Sequence, residues 1–156
     1  MKRTFEEQWE RVKRMLARVD DHNRDSFSYD DDLWSFFQNC WHLKDWIKND
    51  EAVPKAVRDG IETKVANVES IMICADLANR SKHLQLVRNI RRDADVTNRS
   101  VTIRVGHACG VESGAVCTSE SEHIITLSDG RKFVAQLLAH GAVEDWRKLL
   151  RGLGLI

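Results

Sequence analysis

The stretch that decides the fold is DDLWSFFQNCWHLKDWIKN, residues 31–49. Its apolar side chains recur every three or four positions, which places them on one face of an α-helix. They are Leu33, Phe36, Phe37, Cys40, Leu43 and Ile47. Because Trp34, Trp41 and Trp46 widen this stripe, we predict a central helix that is buried on more than one side, by other helices or by a second subunit.

Helical patterns continue on both sides of this stretch. Residues 3–20 have apolar side chains at helical spacing and predict an amphipathic helix. Between them and the central helix, DDHNRDSFSYDDD (residues 20–32) is polar and acidic, so we expect a loop whose last aspartates begin the central helix. On the other side, a third helix is predicted from near Pro54 to about Ala66, and a fourth over roughly 69–84.

The pattern changes after about residue 92. SVTIRV and HIITL alternate or are β-branched and predict two strands, and RKFVAQ after the SDG turn is either a third strand or the approach to a helix. A last helix is expected to pack back on the bundle. We therefore predict a single mainly α domain over 1–156. It comprises a bundle of about four helices (1–90), an antiparallel β-hairpin region (91–136) and a C-terminal helix (137–156).

Composition limits the classes of function. Lys and Arg together number 24, as do Asp and Glu together, so the chain lacks the overall basic excess that nonspecific nucleic-acid binders carry. The overall balance does not exclude a local basic patch. No apolar run reaches the roughly 20 residues that cross a bilayer, and the charged start is unlike a signal peptide. We expect a soluble, cytoplasmic protein without membrane contact, in which Cys40 and Cys74 are small core residues.

The densest group of reactive side chains lies in ICADLANRSKHLQL, residues 73–86. Helical spacing puts Asp76, Asn79 or Arg80, and His83 on one face, and puts His42 and Asp45 on one face of the central helix. If the two helices pack side by side, His42 and His83 could transfer protons, and Arg80 and Lys82 nearby could bind a phosphate. The predicted catalytic residues are His83, Arg80 and His42, and the predicted substrate-binding residues are Lys82, Asn79, Asp76 and Asp45. The alternative is a solvated face on which Asp76 and Arg80 form an ordinary ion pair.

Metal binding is a further alternative at two places. His42, Asp45, Asp76 and His83 have suitable ligand atoms for a transition metal, although the Glu-x-x-His repeat of di-metal bundles is absent. His107, Cys109, Cys117 and His123 have ligand types that suit zinc, without a Cys-x2-Cys pair. Nucleotide-binding glycine loops are also absent. NIRRDADVTNR, residues 89–99, either meets a phosphate backbone or is a charged connector.

LANRSKHLQL on a late helix, with the polar positions of CWHLKDWIKND, resembles the HEPN domain family. These domains are small helical bundles, and many are metal-independent ribonucleases of bacterial toxins and phage-defence systems. Their motif is an Arg followed by a His four to six residues further on, and two subunits usually pair to form one composite site. His83 matches the histidine. Arg80 is a displaced match for the arginine, since only two residues separate it from His83.

The resemblance implies a ribonuclease that uses the ribose 2′-hydroxyl as nucleophile, acts on RNA as a homodimer and needs neither cofactor nor metal. The alternative is a non-catalytic module that dimerises or binds a partner through the tryptophan-rich central helix. A metal-dependent helical enzyme is the third reading. Convergence of His42, Asp45, Asp76 and His83 in one pocket would favour the enzymes, and their separation would favour the module.

Overall fold

A computed structural model describes residues 3–21, 26–81, 102–107 and 121–156. Within these ranges the chain forms five α-helices and three β-strands. The helices are α1 (Phe5–Val19), α2 (Ser26–Asn49), α3 (Lys55–Ala66), α4 (Glu69–Ser81) and α5 (Ala135–Gly152). The strands are β1 (Thr102–His107), β2 (Ser121–Thr126) and β3 (Lys132–Val134). The predicted class, a mainly helical bundle with a small antiparallel sheet before the last helix, is confirmed.

The central helix begins earlier than the sequence predicts. The predicted loop is wrong for residues 26–30, which form the start of α2 ahead of the predicted first residue, Asp31. Aspartate favours caps and turns in isolation because its side chain competes for backbone hydrogen bonds. Here tertiary contacts override that preference: Arg18 Nε of α1 lies 2.9 Å from the buried carboxylate of Asp32, and Asp30 contacts His123 of β2.

The small sheet has the order β1-β2-β3, and both pairs of strands are antiparallel. Its β2–β3 turn is closed by Leu127 and Arg131, and Gly130 adopts the left-handed conformation (φ 87°) that glycine tolerates best. The two alternatives for RKFVAQ both apply, since Lys132–Val134 is a strand and the helix starts at once at Ala135. Helix α5 thus starts two residues before the predicted position.

Helix α2 is the centre of the fold, since it packs against the other four helices. Its apolar stripe is fully buried, as predicted, and shares one core with side chains from every other helix and from β2. Helix α5 packs back on this core: Trp146 is completely buried, and its Nε1–H donates to the carbonyl oxygen of Cys40 at 3.1 Å. Among the described residues, no helix combines the length and the apolarity that a membrane span requires.

One carboxylate connects the start of α1 to the link between α2 and α3. The buried side chain of Asp50 accepts the backbone N–H of Phe5 at 2.9 Å, and its other oxygen accepts the N–H of Ala52 at 3.0 Å. The first N–H groups of a helix have no partner within the helix and attract negative charge. Asp50 therefore caps α1 from a position that is 45 residues away along the chain.

Candidate functional site

A polar stripe runs along one side of α2. Asp31, Trp34, Ser35 and Gln38, at positions i, i+3, i+4 and i+7, line an open cleft with a volume of about 550 Å³. Further along α2 the same spacing leads to His42 and Asp45, so the cleft continues the polar face that the sequence singles out. The cleft residues themselves were not predicted as a site, because four ordinary surface residue types carry no motif.

The three tryptophans of α2 are half-buried, and each packs against the core: they are Trp34, Trp41 and Trp46. Lys44 Nζ lies 4.4 Å from the ring centre of Trp41, and the guanidinium of Arg11 lies 5.5 Å from that of Trp46. Cations over indole faces are attracted by the negative face of the ring. Two of the three tryptophans that the sequence assigns to a partner surface are therefore partly covered by basic side chains of the same chain.

Asp45 belongs to a charge network between α2 and α3. It accepts a hydrogen bond from Lys44 Nζ at 2.5 Å, and that nitrogen also lies 3.8 Å from a carboxylate oxygen of Glu62. Lys48 binds the other oxygen of Glu62 at 2.9 Å. The network ties Asp45 to the α3 side of the bundle.

The predicted residues of α4 lie in its last two turns. Asp76 and Arg80 are half-buried, and Asn79 is exposed. Lys82 and His83 lie outside the described residues, so the catalytic role of His83 stays a prediction.

The contact between α2 and α4 passes through two buried thiols. Cys40 and Cys74 are both fully buried, and burial, followed by the neighbouring Cys40 thiol, raises the pKa of the Cys74 thiol well above its ordinary value. Since each helical residue turns by about 100°, His42 and Asp76 lie about 200° around their helices from these cysteines. His42 and Asp76 therefore lie on other faces of α2 and α4 than the two buried cysteines.

A second group of reactive side chains lies where α2 meets the sheet. His123 of β2 is only 4% exposed, and its Nε2 is hydrogen bonded to the Oδ1 of Asp30. The ring of Tyr29 lies 4.8 Å from the imidazole ring. Among the described residues, Nδ1 of His123 is buried without a hydrogen-bond partner. Because a carboxylate can only accept, Nε2 carries the proton in this pair.

A second carboxylate–histidine pair lies near Tyr29. Asp20, at the end of α1, accepts hydrogen bonds from Gln136 Nε2 and contacts His140 Nε2 of α5, each at 2.8 Å. Burial, and then the negative charges of Asp20 and Asp30, raise the pKa of the Tyr29 phenol. The junction of α1, α2, β2 and α5 thus holds two carboxylate–histidine pairs around one tyrosine.

The sequence predicts a different set of neighbours for His123, namely the zinc-ligand types His107, Cys109 and Cys117. Its described partner is Asp30, whereas Cys109 and Cys117 of the hypothetical zinc site lie outside the described residues and His107 pairs with Ser121 in the sheet. In the described ranges, no three His, Cys, Asp or Glu side chains form a group suited to a metal ion. Asp20, Tyr29 and His140 were not singled out, because their contacts join residues about a hundred positions apart.

A carboxylate that holds an imidazole fixes its tautomer and prepares it for proton transfer. The acidic surroundings of this junction, however, oppose the binding of a polyanion. Comparison of the chain with protein-family models, with curated proteins and with solved structures found no match.

Proposed function

We propose that this chain is a metal-independent ribonuclease, with His83 and Arg80 as its central catalytic residues. The observation that carries the proposal is a separation of charge along a chain that is neutral overall. Residues 80–99 hold six Arg and Lys side chains against two Asp, a net charge of +4, whereas residues 20–32 have a net charge of −5. A positive segment that contains a histidine suits the binding and cleavage of a phosphodiester.

Each proposed residue has a defined role. His83 removes the proton of a ribose 2′-hydroxyl, whose oxygen attacks the neighbouring phosphorus while the bond to the 5′-oxygen breaks. A second histidine, His42, donates the proton that the leaving 5′-oxygen takes up, which leaves a 2′,3′-cyclic phosphate and a 5′-hydroxyl. Arg80 and Lys82 stabilise the charge that develops on the phosphate. Asn79, Asp76 and Asp45 complete the contacts to the substrate.

A homodimer would bring two sets of these residues together. Because His42 and Asp76 lie on other faces of α2 and α4 than the two buried cysteines, we propose that residues of two copies form the site together, as the resemblance implies. This arrangement makes cleavage depend on association of the two copies.

Cleavage of an RNA oligonucleotide by the full chain, beside DNA of the same sequence and with and without a chelator, tests the proposal. We expect cleavage of RNA alone, insensitivity to the chelator, and a loss of roughly 10²- to 10⁴-fold in His83→Ala. Arg80→Lys keeps the charge but loses the forked donor, so it should be slower than the native chain. Lys64→Ala, which removes an exposed charge from α3, is the matched control and should cleave like the native chain.

Three results would contradict the proposal. They are cleavage that the chelator abolishes, equal cleavage by His83→Ala, and the absence of RNA cleavage at concentrations where the chain is associated.

A non-catalytic module that dimerises through α2 is the second candidate. The observation that favours it is the open cleft beside Trp34, which is the half-buried tryptophan of α2 without a covering cation among the described residues. Sedimentation equilibrium of Trp34→Ala beside Trp46→Ala tests it. A dimer that only Trp34→Ala dissociates, in a chain without nuclease activity, would support the module.

A further inference from the structure

The five tryptophans of the chain have different surroundings. Trp146 is fully buried with its N–H satisfied by the carbonyl of Cys40. Basic side chains lie over the rings of three others: Lys13 over Trp9 at 5.6 Å, and Lys44 and Arg11 over Trp41 and Trp46. Among the described residues, Trp34 is the tryptophan that has neither complete burial nor a cation over its ring.

Three consecutive aspartates beside Trp34 show a parallel difference. Asp30 is bound to His123, and Asp32 is bound to Arg18. Asp31 between them is exposed, and no ion-pair or hydrogen-bond partner for it lies within the described residues. Asp30 and Asp32 therefore make contacts within the fold, whereas Asp31 lines the cleft together with Trp34.

We propose that this cleft binds a basic side chain, foremost an arginine, presented by a partner protein. The flat guanidinium stacks on an indole face and donates two parallel hydrogen bonds to a carboxylate, so Trp34 and Asp31 offer complementary groups one helical turn apart. Ser35 and Gln38 extend the cleft with polar groups that suit a peptide backbone. The site is distinct from the proposed catalytic residues, and it stands whether or not the chain cleaves RNA.

The indole of Trp34 is held in place for this contact. Its ring meets that of Phe37 edge to face, with ring centres 6.4 Å apart and planes at 76°, and Phe37 is itself completely buried. A ring fixed by the core loses little freedom when a ligand stacks on it.

Charge decides between a basic peptide and RNA as the occupant. A nucleic-acid base also stacks on tryptophan, but its phosphates would then meet the exposed carboxylate of Asp31 in the same cleft. The same carboxylate attracts a cationic peptide. The observations therefore favour a basic protein segment.

Titration of the ¹⁵N-labelled full chain with a capped Gly-Arg-Arg-Gly peptide tests the proposal, and the same peptide with citrulline in place of arginine is the neutral control. We expect the indole N–H signal of Trp34, assigned by its loss in Trp34→Phe, to shift with the arginine peptide and not with citrulline. Asp31→Asn should weaken binding by roughly threefold to fivefold. Asp59→Asn removes an exposed charge that Lys55 already neutralises at 2.5 Å, so it should leave the affinity unchanged.

Other occupants give different results in the same experiment. Equal shifts with both peptides, or no shift with the arginine peptide, would overturn the proposal. Shifts of the Trp34 signal by an RNA oligonucleotide alone would identify a base-stacking surface instead. Shifts that follow the concentration of the chain itself, and disappear in Asp31→Asn, would assign the cleft to a second copy.

Discussion

Helix α5 is attached to the bundle in two different ways along its length. In its middle, Trp146 enters the core and is fully buried. At its start, Gln136 and His140 bind Asp20 of α1 in a solvated contact, in which the His140 side chain is 50% exposed. A third contact does not involve α5: the carboxylate of Asp30 and the buried imidazole of His123 join α2 to β2. The comparison indicates that the middle of α5 supplies stability, whereas the junction around Tyr29 contributes position and charge.

The largest expected effect is at the buried contact. Trp146→Ala should lower the free energy of unfolding by about 3–5 kcal/mol, because it leaves a cavity and removes the hydrogen bond to the Cys40 carbonyl. Urea unfolding followed by circular dichroism measures the loss. Trp41→Ala, which removes a half-buried indole from the surface, is the matched control and should cost clearly less. Equal losses would show that the complete burial of Trp146 does not make its removal more costly than that of a half-buried tryptophan.

The Asp30–His123 pair should rank second. Asp30→Ala leaves both nitrogens of a buried imidazole without a described partner, and one unsatisfied buried group costs roughly 1–3 kcal/mol. Asp31→Ala alters the next residue, which is exposed, and should stay within about 0.5 kcal/mol of the native chain. If the two variants unfold alike in urea, His123 does not depend on Asp30.

Tyr29 gives a smaller effect that reports on charge at the junction. The chain has one tyrosine, so absorbance of the phenolate near 295 nm follows Tyr29 alone. Its pKa should lie above 10 and should fall toward that value in Asp30→Asn, which removes one of the charges that raise it.

The raised pKa also has a consequence for stability. Above pH 10 the unfolded chain loses the phenolic proton before the folded chain does, so the stability that Tyr29 contributes is lost as pH rises through the folded pKa. Urea unfolding at a series of alkaline pH values tests this sign. A pKa of Tyr29 that Asp30→Asn leaves unchanged would show that burial and Asp20 raise it without a contribution from Asp30.

The exposed contact at the start of α5 should give the smallest effect. His140→Gln is expected to lower the free energy of unfolding by only about 0.2–1 kcal/mol, since solvent screens the pair. Thermal unfolding of the variant beside Trp146→Ala makes the comparison direct. A loss as large as that of Trp146→Ala would mean that the start of α5 is the main attachment.

The sequence was a good guide wherever local periodicity determined the structure. The apolar stripe of α2 follows from spacing, because burial of one helix face imposes that spacing, and the start of α3 follows from Pro54, which is tolerated in a first helical turn. The first turns of α2 could not be found this way. Their stability depends on Arg18 and His123, and a contact such as that of Asp30 with His123 joins residues 93 positions apart.

The candidate site was likewise predictable only where it depends on spacing within one helix. Helical spacing placed His42 and Asp45 on one polar face of α2, and the cleft residues extend that face. Spacing could not reveal which helix that face meets, because the packing of α2 against α4 depends on tertiary contacts between buried side chains, among them Cys40 and Cys74. The role of His83 stays a prediction, since it lies outside the described residues.

The two hydrogen bonds of Asp50 imply an order of events during folding. The bond to Ala52 spans two residues and can form as soon as the α2–α3 connection bends, whereas the bond to Phe5 closes a loop of 45 residues. Closing a long loop costs entropy that only later contacts repay. Helix α1 should therefore receive its cap after the transition state. Loss of the Asp50 carboxylate would then accelerate unfolding while leaving the refolding rate nearly unchanged.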